Sequence, residues 1–164
     1  IIITPVVLPV TGLTWNLTVE NPCDANPWTI SNANRTIRYD ITDSANCGGT
    51  CNQIQSGIAT AFITVGASNV EMNVDFVGIG EQQDSGFERI VFLLDGTEIA
   101  SGESRDFNLG CSSFGAIDKT YTVSPPYFLA AGTSHTLYID FTTGDQLYHV
   151  GCYYQVDISF TEVS

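Results

Sequence analysis

Residues 88–102 read ERIVFLLDGTEIASG. The five residues 90–94 are all apolar, so neither face of this run is polar, and such a run fits a strand that is covered on both sides. Asp95-Gly96 follows at once, and this pair accepts the positive φ values of a two-residue hairpin turn. The pattern then resumes over 97–102. The stretch predicts a β-hairpin whose first strand is central in its sheet.

Outward from the hairpin, the dominant period is two and almost nothing repeats at 3.6 residues over a helical length. Leu13, Trp15, Leu17 and Val19 alternate with Thr14, Asn16, Thr18 and Glu20, and Ile37, Tyr39 and Ile41 alternate with Thr36, Arg38 and Asp40. Val70, Met72, Val74 and Phe76 alternate with Glu71, Asn73 and Asp75, while Cys152, Tyr154, Val156, Ile158 and Phe160 alternate with Tyr153, Gln155, Asp157 and Ser159. Each of these predicts a strand with one wet face. With 58–65, 119–123 and 134–141 the count reaches about nine strands joined by turn-rich segments. The chain is therefore expected to be all-β, a single jelly-roll-like β-sandwich. The 164 residues fit one domain, and no internal repeat or linker divides them. We place the sandwich at 12–164, preceded by an apolar extension at 1–11. The loops expected to carry function are 21–34, 43–57, 78–87, 102–118 and 142–151.

Eighteen acidic residues against five basic ones give a net charge of -13, which repels nucleic acid and anionic membranes. No charge occurs before Glu20, but Pro5, Pro9, Gly12 and Asn16 interrupt the apolar start, and we reject a membrane-spanning helix. Five cysteines, a single Lys and two sequons at Asn16 and Asn34 point to a secreted, disulfide-forming and glycosylated protein. The lack of an initiator Met fits removal of a signal peptide. Both sequon amides share the parity of outward-facing residues and should face solvent.

Cys111 and Cys152 are candidates for a bridge across a long loop. Cys47 and Cys51 are close enough to bond each other, or for one of them to reach Cys23. Five is odd, so at least one thiol stays free or bonds a second chain. A CxxxC pair without a second pair or a nearby His does not make a zinc site. His135 and His149 come with no nucleophile, zinc or phosphate motif, and we expect no enzyme and no cofactor. Two loops offer carboxylates to Ca²⁺: Glu81, Asp84 and Glu88 in GIGEQQDSGFE, and Asp140 and Asp145 in YIDFTTGDQLYH. Neither has EF-hand spacing, and both also read as plain acidic turns. Tyr148, His149, Tyr153 and Tyr154, with Trp28 elsewhere, are candidates for stacking on a sugar ring.

The remaining feature is the start itself, IIITPVVLPVTG. Ile1, Ile2, Ile3, Val6, Val7, Leu8 and Val10 would each gain roughly 1.5 to 3 kcal/mol on full burial, so water is a poor place for them. Two packings compete. The segment can be the first strand of its own sandwich, held to an edge by Pro5 and Pro9. Alternatively, it can complete the sheet of a second copy, a head-to-tail contact that builds an open filament. In the second packing the chain resembles secreted β-sandwich fibre subunits that polymerise by donor-strand complementation, such as pilins and biofilm-matrix fibre proteins. The resemblance rests on residues 1 to about 11 and on the single disulfide-bearing domain. Extensions in such families usually alternate large apolar residues, whereas this one is apolar at nearly every position. Burial on both faces would account for that. The resemblance implies an extracellular structural subunit whose partners are copies of itself. The alternative is a carbohydrate-binding adhesin or lectin-like module, Ca²⁺-dependent or not, using 148–154. A viral capsid or spike jelly roll is a further alternative.

Overall fold

In a computed structural model the described residues are 1–3, 7–20, 27–40, 56–79, 89–103, 119–122, 126–142 and 153–164. They form twelve strands and no helix: β1 (Val10–Thr11), β2 (Trp15–Glu20), β3 (Trp28–Ser31), β4 (Thr36–Asp40), β5 (Ser56–Val65), β6 (Asn69–Ile79), β7 (Arg89–Leu94), β8 (Thr97–Glu103), β9 (Lys119–Thr122), β10 (Tyr127–Leu129), β11 (Ser134–Thr142) and β12 (Tyr153–Val163). Each of the nine expected strands has its counterpart. The three additions are β1, β3 and β10, which have two, four and three residues and are too short to show a period.

The Asp95-Gly96 turn is the tip of a nested set of antiparallel pairs. Asp95 and Gly96 have φ of 51° and 80°, the two positive values of a type I′ turn. Outward from it β7 pairs β8, β6 pairs both β9 and β10, β5 pairs β11, and β4 pairs β12. Further pairing joins these strands into two antiparallel sheets. One sheet runs β1/β2, β5, β11, β7, β8, and the other runs β9/β10, β6, β12, β4, β3. This is the strand order of a jelly roll. As the apolar run implied, β7 has a neighbour on each side, β11 and β8.

Inward residues set the core. Val70, Met72, Val74 and Phe76 of β6 and Tyr154, Val156 and Ile158 of β12 face Ala59, Ala61 and Ile63 of β5, Ile90 and Phe92 of β7, and Leu137, Ile139 and Phe141 of β11, all buried in one cluster. Size complementarity fixes the β2 edge: Trp15, Leu17 and Val19 stand opposite Ala61, Ala59 and Gly57. A bulge in β8 sets the other edge, where Phe92 pairs Ala100 but Leu93 pairs Glu98, leaving Ile99 unpaired. The Tyr127 hydroxyl donates to the Ile99 carbonyl at 2.9 Å, tying the two sheets on that side.

Candidate functional site

Val10, on the edge of β5 opposite Val65, is 6% exposed and belongs to the core of its own chain. The pairing of residues 10 and 11 carries the sandwich two residues back across the boundary set at residue 11. Between β1 and β2 the edge takes in one extra residue, since Thr11 pairs Thr64 and Trp15 pairs Ala61. Gly12 makes this bend at φ +82°, and a Cβ there would sit 3.2 Å from the Phe62 carbonyl. Just before β1 the covering stops. Ile1, Ile2 and Ile3 are 121%, 95% and 85% exposed, Val7 is 74% and Leu8 is 53%. Val6 lies outside the described residues.

A groove of about 270 Å³ opens beside this segment, lined by Leu8, Val10, Gly12, Leu13, Ala33 and Phe160 among others. Its far wall is the β3–β4 turn, where Asn32, Ala33 and Asn34 all have positive φ (52°, 52° and 66°). Asn tolerates this conformation, but for Ala33 it is strained. The turn is tied to the β2 edge: the Trp15 indole donates to the Asn34 carbonyl at 2.7 Å, and the Asn34 side-chain amide donates to the Leu13 carbonyl at 2.9 Å. Asn34 is thus exposed but already engaged, whereas Asn16 stands exposed on the outer face of β2.

Three hydrogen bonds support the root of the segment. The Gly66 amide donates to the Pro9 carbonyl at 2.9 Å, Gly132 donates to the Gly66 carbonyl at 2.9 Å, and Val65 donates to the Thr133 carbonyl at 2.8 Å. Beyond them lies a hydroxyl–imidazole–carboxylate row that sequence inspection did not connect. His135 Nε2 is 2.7 Å from Thr133 Oγ1, and its Nδ1 is 2.7 Å from Asp95 Oδ2. Asp95 Oδ1 accepts the Thr136 amide at 2.8 Å. The hydrogen bond from His135, with smaller help from the Thr136 amide and against desolvation, holds the Asp95 carboxyl below the usual carboxylate range. The row has the atom order of a catalytic triad. However, the amides of residues 131, 132 and 133 are taken by Asn69 Oδ1, Gly66 O and Ala130 O. The geometry therefore braces turns and leaves these amides no oxyanion to serve.

The opposite end of the sandwich carries the remaining candidates. Ser56 pairs with both Glu20 and Thr142, Arg89 with Thr142 and Glu103, Tyr153 with Asp40 and Ile79, and Gly78 with Lys119. The segments 21–26, 41–55, 80–88, 104–118 and 143–152 are all attached there and lie outside the described residues. With them lie Cys23, Cys47, Cys51, Cys111, Cys152, Glu81, Asp84, Glu88, Asp145, Tyr148 and His149. Asp140 stands on the outer face of β11, between Ile58 and Val91. Among the described residues no three His, Cys, Asp or Glu side chains gather as a metal site.

Two aromatic assignments change. Trp28 is part of β3, not a loop, and is 7% exposed, packed edge-on against Tyr39 at 5.0 Å and Phe141 at 5.3 Å. Tyr154 is 1% exposed because its parity on β12 turns it into the core. Neither has a ring face for a sugar. Tyr153 points outward, with the Arg38 guanidinium 3.7 Å above its ring and Arg38 also 2.7 Å from Asp40. Under the loop end, Tyr39 and Phe141 stack at 5.8 Å, and burial pushes the Tyr39 hydroxyl up to about 12. That hydroxyl has no hydrogen-bond partner among the described residues.

No family model and no curated protein matches this chain. Among solved structures it is similar to a family 35 carbohydrate binding module from an environmental isolate, at 14% identity over 65% of this chain and 71% of that one, with a TM-score of 0.34. It is also similar to a β-glucosidase from Kluyveromyces marxianus in complex with glucose, at 10% identity over 92% of this chain and 16% of that one, TM-score 0.40. A third similarity is to the enzymatically active domain of the bacteriophage CBA120 tailspike protein 4, at 13% identity over 94% of this chain and 19% of that one, TM-score 0.29. The chain thus spans less than a fifth of the two enzymes. At these scores the similarities carry no argument about function.

Proposed function

We propose that this protein is a structural subunit of an extracellular fibre or surface assembly, joined to the next copy through the apolar segment 1–8 and stiffened by disulfides. One observation carries the reading: Val10 is in the core, while Ile1, Ile2, Ile3, Val7 and Leu8 immediately before it are uncovered. Burying those five side chains is worth roughly 1.5 to 3 kcal/mol each, which a second copy can supply. The segment precedes an edge strand antiparallel to β5, so it joins the sandwich at the turn end. A contact made from one end to a different surface of the next copy is head-to-tail and builds an open assembly.

Removing residues 1–8 tests this, because Pro9 and the whole of β1 remain. The truncated chain is expected to keep its unfolding midpoint and to lose assembly by electron microscopy and size exclusion. Filaments that persist without the segment, or an intact chain that stays monomeric at high concentration, would overturn the reading.

A glycan-binding module is the second reading. It is favoured by the outer face of the second sheet, where Tyr153, Gln155 and Asp157 of β12 stand beside Asp40, Arg38 and Thr36 of β4. Thr36 and Gln155 both donate to the Asp157 carboxylate, so this ladder is held in place. A glycan array run with and without chelator tests it, and no binding in either condition removes it.

A further inference from the structure

Each ring nitrogen of His135 has one close polar neighbour, Thr133 Oγ1 at Nε2 and Asp95 Oδ2 at Nδ1. Thr133 Oγ1 donates its hydrogen to the Ala130 carbonyl at 2.6 Å, so it faces His135 Nε2 as an acceptor. Asp95 Oδ2 is a carboxylate acceptor facing Nδ1. Both ring nitrogens therefore meet acceptors, and the row is complete only when both carry hydrogen, that is, when the ring is an imidazolium. With one proton gone, Thr133 must turn its hydroxyl toward Nε2 and release Ala130, or Nε2 and Oγ1 face each other with no hydrogen between them. Among the described residues, the charged group in contact with the ring is Asp95 in the β7–β8 turn. β5 presents Ile63 opposite His135, β10–β11 presents Thr133, and Glu98 on β8 is opposite Leu93.

The turn that this ring holds is the one that backs the root of the apolar segment. From Pro9 the contacts run to Gly66, to Gly132 and Thr133, to His135 and to Asp95. A Cβ on Gly66 would come within 3.4 Å of the Pro9 carbonyl, so the root sits close against this turn. We infer that His135 is a proton-operated pin on the root of the 1–8 segment: doubly protonated, it ties the 130–133 turn to the Asp95 turn, and loss of one ring proton loosens the support under Gly66 and Pro9. The pin is closed while both ring nitrogens carry hydrogen and opens when one of the two protons leaves. On the proposed function, on which only this consequence rests, assembly weakens as pH rises.

Three measurements on the intact chain test the pin. Ring ¹⁵N spectra at about pH 5.5 are expected to show both nitrogens of His135 protonated, and at about pH 8.5 only one. Amide exchange at Gly66 and Gly132, corrected for intrinsic rate and referred to the core amide of Val156, is expected to lose about three- to tenfold in protection between the two, the worth of one net hydrogen bond. In His135→Gln that ratio is expected not to change with pH. A singly protonated ring at the acid pH, or a protection ratio that ignores pH in the unaltered chain, overturns the pin. Sedimentation on the same samples reads the consequence, with less assembly expected at the alkaline pH. If protection falls while the chain sediments as a monomer at both values, the pin stands and the assembly reading fails.

Discussion

The two ends of the sandwich are built differently. At the turn end the chain reverses through short segments, 31–35, 66–68, 95–96 and 130–133, whose backbone groups bond one another and neighbouring carboxylates and amides. At the loop end the strands lead into five longer segments outside the described residues, and the end of the described core is an aromatic floor of Trp28, Tyr39 and Phe141, where Gly57 leaves the space the rings fill. In the sequence all five cysteines fall within those five segments, and the exposed apolar segment joins the sandwich at the turn end. The lesson is a division of labour. Side-chain packing holds the loop end, and hydrogen-bonded turns hold the end from which the proposed subunit contact projects.

That division can be broken most severely at the floor. Phe141→Ala is expected to destabilise by about 4 kcal/mol in urea unfolding, whereas Ile2→Ser should leave the midpoint of the unassembled chain within about 0.5 kcal/mol. A small loss at Phe141 would mean that the floor is not packed as described. Gly57→Val comes next, since a Cβ there meets Trp28 Cζ2 and Tyr39 Cε2 at 2.6 Å. Overpacking of this kind should remove about 3 kcal/mol, and an unchanged midpoint would show that the rings can move aside.

The turn end offers the opposite sign. Ala33→Gly relieves a left-handed alanine and is expected to raise stability by about 1 kcal/mol, measurable as a higher melting temperature; a loss would contradict the strained turn. The smallest effect belongs to Asp95, whose side chain is half exposed. Its folded carboxyl loses a proton more readily than the unfolded one, chiefly through His135. The stability this provides is therefore present above an unfolded value of about 4 and is lost as pH falls through the carboxylate range. Asp95→Asn should flatten that part of the acid-unfolding curve, and an unchanged curve would remove the linkage.

The sandwich was largely legible because alternation marks every strand long enough to have one face wet. The hairpin at 88–102 was plain for a second reason, since Asp-Gly names its turn. Residues 28–31 hid because Trp28-Thr29-Ile30-Ser31 is four residues long between turn formers, so its tryptophan passed for a loop aromatic. For Tyr154 the signal was present: its parity with Val156 and Ile158 already turned it inward. The His135–Asp95 contact was not legible, because 40 residues separate the pair and the meeting depends on how β11 lies against the β7–β8 hairpin. At the apolar start, composition showed that burial was needed, but a segment with no alternation does not say against what.

On the proposed function, segment 1–8 is covered by another copy and not by its own chain. A photo-crosslinking residue placed at Ile2 of the otherwise unaltered protein answers this under assembling conditions, read by the mass of the products and the peptides joined. Products that unite two chains are expected, and none when the protein is diluted to monomer before irradiation. Crosslinks confined within a single chain at every concentration would contradict it.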